Sequence, residues 1–450
     1  DYIDIGGTKS YYSNYTIYAY NSTHVGNMTF NVTPNNNSLN NVITISEGTF
    51  VPPISNVTIC RNLDIANTLY NQTANIVQNQ NQNCIVITAP NITFDCKGYS
   101  ITSAFSKTGI YSNQDNTIIK NCNVSMGNSV LGIGIEISLA NNVSIMNNTL
   151  DSQNYGLQLH LTTNSIIQNN TANSNVGGFF FNGATNNSLL NNIANSNSVG
   201  FSIRYGADNN TLVNSTANLN TKGFFLTSSD NNTLVNSTAN SNSEYGIRLE
   251  SCNSNVFENN TVNSNTLDGI NIEIGDNNTI SNNLISSNSD DGIVIEQGNN
   301  NNVSNNQIID NSDSGILLRT SSTNNYFANN NISDSGNYDV RSRTSSENNT
   351  FVNCSYDLSK EEVESGTYLT RKWYYRAYVV DNQSTEMENA SVLAYNRTGQ
   401  LTMNITTNAS GWTSIGQIVD YINVGGVRNY YSDYITAANA NKTLWDSHNY

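Results

Sequence analysis

A short motif recurs along the middle of the chain at a nearly constant interval. Each copy is a glycine followed by alternating apolar residues, as in Gly156-Leu-Gln-Leu-His160. The copies begin at Gly156, Gly178, Gly200, Gly223, Gly246, Gly269, Gly292 and Gly315, steps of 22 or 23 residues. A constant period of this size is typical of solenoids, in which each repeat forms one coil. The alternation predicts a strand whose first and third residues after glycine face one side.

A second apolar position recurs in the same repeat. It stands two residues before an asparagine, as in Ile145-Met-Asn147 and Leu234-Val-Asn236. Residues two apart lie on one face of a strand, so we predict a second strand per coil with its asparagine pointing inward. Equivalent asparagines of successive coils would then hydrogen-bond as a ladder along the stack.

Short strands without helical periodicity predict an all-β fold, a parallel β-helix of about a dozen coils. With ~4.8 Å between coils, the rod would be roughly 60 Å long. A leucine-rich solenoid is the alternative, but the chain lacks the Leu-x-x-Leu-x-Leu frame and the helices of that class. We therefore assign residues 49–365 to the β-helix.

The two ends of the chain resemble each other. Residues 1–15, DYIDIGGTKSYYSNY, align with residues 420–434, DYINVGGVRNYYSDY. Short alternating segments with turns between them predict a small β-sandwich over residues 366–450, and residues 1–48 resemble the end of such a sandwich. Unpaired strand edges pair with other chains. We therefore expect either tandem units in one chain or copies joined head to tail through these terminal strands.

Composition excludes several classes of partner. The formal net charge is −16 and only 12% of residues are charged, which argues against nucleic acid, because phosphate binding needs Lys and Arg. No apolar run reaches the ~20 residues of a membrane span. The sequence begins at Asp1 without a leader, so we expect a mature or excised piece of a longer precursor.

The six cysteines divide into two groups. Four precede residue 125 without a Cys-x-x-Cys pair, which disfavours zinc and suggests one or two disulfides in an exported protein. These candidates are Cys60, Cys84, Cys96 and Cys122, with the pairing left open. Cys252 and Cys354 are too many coils apart to bond, so we expect both to be free.

Part of the chain resembles the NosD-like, or CASH-type, family of right-handed β-helices. The resemblance rests on Cys84-Ile-Val-Ile, on Asn91-Ile-Thr-Phe-Asp-Cys-Lys-Gly-Tyr-Ser-Ile101 and on Gly109-Ile-Tyr111, and it covers Cys60 to about Cys354. It implies a right-handed coil but no particular activity, because the family includes lyases, epimerases, copper-maturation proteins and surface proteins. In composition the chain is similar to large Asn- and Tyr-rich archaeal surface glycoproteins. Its C-terminal stretch resembles Ig-like or carboxypeptidase-regulatory modules.

Two acidic groups are candidates for a site. Asp268, Asp290, Asp291 and Asp313 precede the glycines of consecutive coils and could form a calcium or polysaccharide site, although aspartate also favours turns. Glu250, Glu273 and Glu296 fall on one register position about 4.8 Å apart, where a cation such as Ca2+ could bridge them. Arg319 could pair with Glu296, and a solvated surface stripe is the simpler interpretation. The three histidines are isolated, so we expect no catalytic centre.

Sequons for N-linked glycans are abundant. We expect sugars on the turn residues Asn142, Asn186, Asn209, Asn231, Asn277 and Asn348, and on Asn382 and Asn396 of the C-terminal segment. The predicted inward ladder would shield Asn147, Asn169, Asn214, Asn236, Asn259 and Asn353.

Two functions fit these features. One is a structural subunit of an extracellular filament, sheath or surface layer without enzymatic activity. The alternative is a polysaccharide-binding or polysaccharide-modifying β-helix, of the lyase or epimerase type. The repeated termini and the absence of a visible catalytic cluster favour the first.

Overall fold

The computed structural model describes residues 54–127 and 131–431 in full. Outside these ranges it gives the backbone of the strands Tyr2–Ile5, Thr8–Tyr11, Tyr15–Tyr20, His24–Phe30, Ser46–Glu47, Asp433–Asn439 and Thr443–Asn449. Within the described ranges the chain is all-β apart from one 3-10 helix, Leu358–Lys360, which confirms the predicted parallel β-helix. Among these residues we find no helix with the length and apolarity of a membrane span.

The coils stack into three parallel sheets. Sheet 1 has 14 strands and contains the glycine motif. Its strands are Arg61–Leu63, Ile85–Ile87, Thr108–Ser112, Ile133–Ser138, Tyr155–His160, Gly177–Asn182, Val199–Arg204, Lys222–Thr227, Ile247–Glu250, Ile270–Glu273, Ile293–Glu296, Ser314–Arg319, Tyr338–Ser342 and Glu361–Val363.

Sheet 2 contains the second predicted strand of each coil. Its strands are Ile54–Val57, Leu69–Gln72, Thr93–Asp95, Ile118–Lys120, Ser144–Met146, Ile166–Gln168, Ser188–Leu190, Thr211–Val213, Thr233–Val235, Val256–Glu258, Thr279–Ser281, Asn302–Ser304, Tyr326–Ala328, Asn349–Val352 and Tyr368–Tyr375.

Sheet 3 was not predicted from the sequence, because in the middle coils its inward residue is only an alanine, at Ala172, Ala194, Ala217 and Ala239. One part comprises Ile76–Gln78, Ser100–Ser103, Asn123–Met126 and Thr149–Leu150, and the other Thr261–Asn263, Leu284–Ser286, Gln307–Ile309 and Asn331–Ser333. Single bridges through Thr171, Ile193, Thr216 and Thr238 join the two parts.

The interior is filled by the apolar residues of each coil. Phe179, Phe201 and Phe224 are buried and stack with ring centroids 4.7 and 4.9 Å apart, which matches the spacing of the coils. The same close approach explains the glycine column. A Cβ added at Gly200 would lie 2.6 Å from the carbonyl oxygen of Gly223.

The asparagines predicted to form an inward ladder, Asn147, Asn236 and their equivalents, do not face inward. Several of them hydrogen-bond along the stack as predicted, and Asn169 Nδ2 donates to Asn147 Oδ1 at 3.2 Å. These residues are exposed, and φ is 57° at Asn147 and 52° at Asn236. A left-handed residue interrupts the two-residue alternation of a strand, so the residue after it turns inward. The buried ladder therefore begins one residue later, where Asn148 Nδ2 donates to Asn170 Oδ1 at 2.9 Å.

Inner asparagine ladders follow all three corners of the coil. Between sheets 1 and 2 they comprise Asn187, Asn210, Asn232, Asn255, Asn278, Asn301, Asn325 and Asn349; between sheets 2 and 3, Asn148, Asn170, Asn192, Asn260, Asn283, Asn306 and Asn330; between sheets 3 and 1, Asn175, Asn197, Asn220, Asn242, Asn265, Asn288 and Asn311. Asn283 is typical: its Oδ1 accepts from the Asn260 backbone N–H at 2.8 Å, and its Nδ2 donates to the Phe257 carbonyl at 2.9 Å. The ladders thus satisfy backbone groups that the turns would otherwise leave unpaired.

The strand Tyr368–Tyr375 links the solenoid to the C-terminal segment. It pairs in parallel with Asn349–Val352 and antiparallel with Gly416–Val424, which also pairs with Val427–Tyr430. Tyr421 is fully buried against the end of the apolar core. The strands Ser391–Tyr395 and Leu401–Thr406 belong to a second, four-stranded sheet. The segment after residue 366 thus begins as a continuation of sheet 2, and its Ig-like identity stays a prediction.

Candidate functional site

The outward side chains of sheet 1 differ from those of the rest of the solenoid. Between Asn121 and Val340 the chain contains four Lys and Arg residues. All four lie on strands of sheet 1: Arg204, Lys222, Arg248 and Arg319. We use the name sheet 1 face for one surface of the solenoid. It consists of the outward side chains of the sheet 1 strands from Tyr155–His160 to Tyr338–Ser342 and of the residues that flank these strands.

Aromatic rings accompany these cations. Tyr155 and Phe180 stack with centroids 4.6 Å apart. The Arg248 guanidinium lies 4.6 Å from the Tyr245 ring, and Arg341 lies 4.4 Å from the Tyr338 ring. Rings and guanidinium groups at such distances attract each other and hold both side chains against the sheet.

The predicted glutamate column lies on this face. Glu250 is in register with Glu273, and Glu273 with Glu296. Arg248 contacts Glu250 at 2.7 Å and Glu273 at 2.5 Å, and Arg319 contacts Glu296 at 2.9 Å. An arginine of the protein itself therefore occupies the bridging place for which the sequence suggested a metal ion.

The aspartates come together more closely than the glutamates. Oxygen atoms of Asp268, Asp290 and Asp291 lie within 4.8 Å of one another. Asp268 is 5% exposed and Asp291 4% exposed. Burial raises the pKa of Asp268 to about 6, and burial together with the charge of Asp268 raises the pKa of Asp291 to about 7. Asp313 lies apart from this cluster and contacts Arg341 at 3.5 Å.

The aspartate cluster has oxygen ligands of the kind that Ca2+ prefers. It is also stabilised without an ion. Asn271 Nδ2 donates to Asp268 at 2.6 Å, and the backbone N–H of Ser314 donates to Asp291 at 2.8 Å. The calcium hypothesis therefore stays a prediction for this cluster, as it does for the glutamates.

The sequons form two exposed ridges, one on each side of sheet 2. The predicted glycan sites Asn142, Asn186, Asn209, Asn231, Asn277 and Asn348 are exposed at the turn before a sheet 2 strand. The sequons predicted to be shielded, Asn147, Asn169, Asn214, Asn236, Asn259 and Asn353, are exposed at the turn after it. The shielding prediction was wrong for the same reason as the ladder, because both rested on unbroken alternation through a left-handed residue.

The two sequons of the C-terminal segment differ. Asn382 is exposed, whereas Asn396 is buried at 3% exposure. Asn396 Oδ1 accepts from the backbone N–H groups of Thr398 and Gln400 at 3.1 and 2.9 Å. A glycan on Asn396 is therefore incompatible with this turn, which corrects its prediction as a glycan site.

The four early cysteines form two disulfides. Cys60 bonds to Cys84, and Cys96 bonds to Cys122. Each bond joins successive coils at the N-terminal end of the described solenoid. Cys252 and Cys354 are free and buried, and burial raises the pKa of the Cys252 thiol to about 11, so it is unreactive at neutral pH.

Sequence reasoning missed the outward residues of the glycine motif. The predicted sites included the fourth residue after the glycine, as at Glu250. They did not include the second residue, which is Phe180, Phe225 or Arg248 in three of the coils. The signal was present, because a residue between two inward apolar neighbours must point outward. Counting the sparse cations would have led to the same strands.

Comparisons with known proteins support the fold. Residues 53–217 and 222–392 match the family model of the right-handed beta helix region. Among curated proteins the sequence has no significant match.

Solved structures share this architecture at low identity. The periplasmic alginate epimerase AlgG is 13% identical, with a TM-score of 0.50 over 70% of this chain and 85% of that one. The Dettilon tailspike protein is 12% identical, with a TM-score of 0.48 over 86% and 72%. The A-module of mannuronan C-5 epimerase AlgE4 from Azotobacter vinelandii is 12% identical, with a TM-score of 0.37 over 70% and 90%. At such identities a likeness shows the fold alone. The family model covers well over half of the sequence, and the chain belongs to the right-handed β-helix family.

Proposed function

We propose that this chain is an extracellular polysaccharide-binding protein and that the sheet 1 face is its binding surface. The observation that carries the proposal is the collection of cations and aromatic rings on this one face. Aromatic rings with a few well-placed polar groups are the usual lining of a site for an organic ligand. The face spans nine coils, or roughly 38 Å at ~4.8 Å per step, so a linear polymer could lie along it.

One further observation supports this proposal. AlgG, whose fold is similar, is described as an alginate epimerase and so acts on a polysaccharide. Head-to-tail assembly would depend on terminal strands whose side chains lie outside the described residues, and it stays a prediction. The finer resemblances, to NosD-like proteins and to archaeal surface glycoproteins, also stay predictions.

An extracellular location agrees with the two disulfides, because disulfides persist in oxidising compartments. The exposed sequons of sheet 2 agree with it as well.

We propose binding without turnover, because Asp268 and Asp291 already accept hydrogen bonds from the protein itself, Asp268 from Asn271 and Asp291 from the backbone N–H of Ser314. A second candidate function, cleavage or epimerisation, is favoured by the same pair, since a carboxyl with a pKa near 6 or 7 suits general acid catalysis. The two functions are separated by incubating the protein with bound polysaccharides and measuring new chain ends and changed sugar configuration. If the wild type modifies a polysaccharide and Asp291→Asn abolishes this activity, catalysis replaces binding as the function of the protein.

The binding proposal is tested by affinity electrophoresis in gels that contain neutral or acidic polysaccharides. We expect retardation by at least one polymer and its loss in the double variant Phe180→Ser/Phe225→Ser. The matched control is Val213→Ser/Val235→Ser, which changes outward residues of sheet 2 in neighbouring coils. Thermal unfolding would verify that both variants fold. The sheet 1 face would be refuted as the binding surface if no polysaccharide retarded the wild type, or if both variants lost retardation equally.

A further inference from the structure

Arg204 differs from the other cations of the sheet 1 face. Lys222, Arg248 and Arg319 each form an ion pair, and so does Arg341. Arg204 forms none with the residues that the structure describes. Its guanidinium carbon lies instead between two phenyl rings, 6.0 Å from the centroid of Phe180 and 4.7 Å from that of Phe225. Its positive charge is therefore uncompensated in a protein whose net charge is −16.

Three polar atoms around Arg204 are buried without a hydrogen-bond partner in the protein. They are Arg204 Nε, Ser202 Oγ and Thr227 Oγ1. Ser202 and Arg204 are two residues apart on one strand, and Thr227 pairs with Arg204 on the next strand. All three atoms therefore belong to one patch of the same face. A buried polar atom without a hydrogen-bond partner is destabilising, so a ligand that accepts hydrogen bonds from these atoms would stabilise the patch.

Ser202 gives the patch its shape. It lies between Phe180 and Phe225 in the outward row, because each is in register with it. The serine side chain is shorter than the two rings beside it, and the Arg204 guanidinium lies near both rings. Tyr205, the next residue, is 62% exposed with φ of 59°, and it adds an accessible ring beside the patch.

We propose that Arg204, Ser202 and Thr227, between Phe180 and Phe225, form a subsite for an oxyanion carried by a sugar ring. The oxyanion is a uronate carboxylate or a sulfate ester. A guanidinium donates two parallel hydrogen bonds to such a group, and the flanking rings contact the apolar edges of the sugar. The subsite rests on the proposed polysaccharide-binding function and assigns that polymer to the acidic class.

Calorimetric titration with three oligosaccharides tests the subsite. The ligands are an oligogalacturonate, its methyl ester and a sulfated oligosaccharide, so that the ester removes the charge but keeps the rings. We expect the wild type to bind at least one anionic form about 10-fold or more tightly than the ester, as a charge-assisted hydrogen bond predicts. Preference for the free acid assigns a uronate, and preference for the sulfated ligand alone assigns a sulfate ester.

Arg204→Gln should bring the affinities for the charged and uncharged ligands to within about twofold of each other, with binding of the ester unchanged. The matched control is Arg343→Gln, whose side chain is paired with Glu364 at 3.2 Å and should keep the preference. A wild type without any preference, or an Arg204→Gln variant that keeps it, would overturn the subsite while leaving polysaccharide binding intact. A wild type that binds none of these ligands and no polymer in affinity gels would instead refute the proposed function itself.

Discussion

Sheets 1 and 2 have the same inward architecture and very different outward faces. Both stack apolar side chains into one core at the same coil spacing. The sheet 2 strands from Ser144–Met146 to Tyr326–Ala328 contain a single charged residue, Glu258. Sheet 1 carries the cations, the aromatic rings and the carboxylate cluster of the same coils.

The comparison separates stability from function in this fold. Core residues and inner ladders repeat in every coil, so they define the solenoid whatever the outer residues are. The outer residues are then free to differ from coil to coil. On sheet 2, between Ser144 and Ala328, they are uncharged apart from Glu258, whereas on sheet 1 they include buried carboxylates and an unpaired guanidinium that stability alone would not favour.

The largest expected effect is on stability and lies beside sheet 2. Asn283→Leu leaves the Asn260 backbone N–H without its partner and removes one hydrogen bond each from Asn260 Nδ2, the Phe257 carbonyl and Asn306 Oδ1. We expect a loss of about 4 kcal/mol or more in the free energy of unfolding, measured by chemical denaturation, because an unpaired buried N–H costs about 1–3 kcal/mol and each further lost hydrogen bond about 1 kcal/mol.

The control is the preceding residue. Asn282 is exposed with φ of 58°, a conformation that glycine adopts freely, so Asn282→Gly should change the free energy of unfolding little. Polysaccharide binding should survive in both folded variants. Equal losses of stability at the two positions would mean that the ladder is not buried at Asn283.

The second effect is a pH dependence that belongs to sheet 1. The pKa of Asp291 is about 7 in the folded protein, against 3.8 for an aspartate in water. The folded state thus binds the Asp291 proton more tightly than the unfolded state does. The stability that this proton contributes is present in full below pH ~4 and is lost as the pH rises through ~7. Asp291→Asn removes the ionisable group and therefore this loss. The free energy of unfolding of the variant should equal that of the wild type at pH 4 and exceed it by roughly 2–4 kcal/mol at pH 8.

Asn302→Ser on sheet 2 provides the control for Asp291→Asn, because it changes an exposed side chain that does not ionise. The difference in unfolding free energy between this variant and the wild type should be the same at pH 4 and pH 8. A pH-independent difference for Asp291→Asn would show that the carboxylate is not held protonated by its surroundings.

The smallest expected effect concerns glycans and sharpens the contrast between the faces. In protein from a glycosylating host, Asn209 and Asn214 should carry sugar to similar extents, because both are exposed on the ridges of sheet 2. Asn396 should carry none. Peptide mass spectrometry measures all three, and an occupied Asn396 or an empty Asn214 would contradict the exposure of these turns.

The repeated part of the fold could be predicted from the sequence alone. Apolar residues of the glycine motif identified sheet 1, since period-2 alternation is unambiguous within a strand. The inner ladder was displaced by one residue because backbone handedness at Asn147 and its equivalents is not encoded in hydrophobicity. Sheet 3 was missed because its inward position changes from a large apolar residue to alanine in the middle coils, which interrupts the repeated apolar signal. The patch around Arg204 was missed because it is assembled from different coils, although the outward direction of each residue followed from the repeat.

Hydrogen–deuterium exchange with a bound acidic oligosaccharide tests the central claim most directly. The account predicts slower exchange in the sheet 1 strands from Gly177–Asn182 to Ile247–Glu250. It predicts unchanged exchange in the sheet 2 strands of the same coils, Ser188–Leu190 to Val256–Glu258. Protection confined to sheet 2, or equal protection of both sheets by a ligand that binds, would contradict the assignment of function to the sheet 1 face.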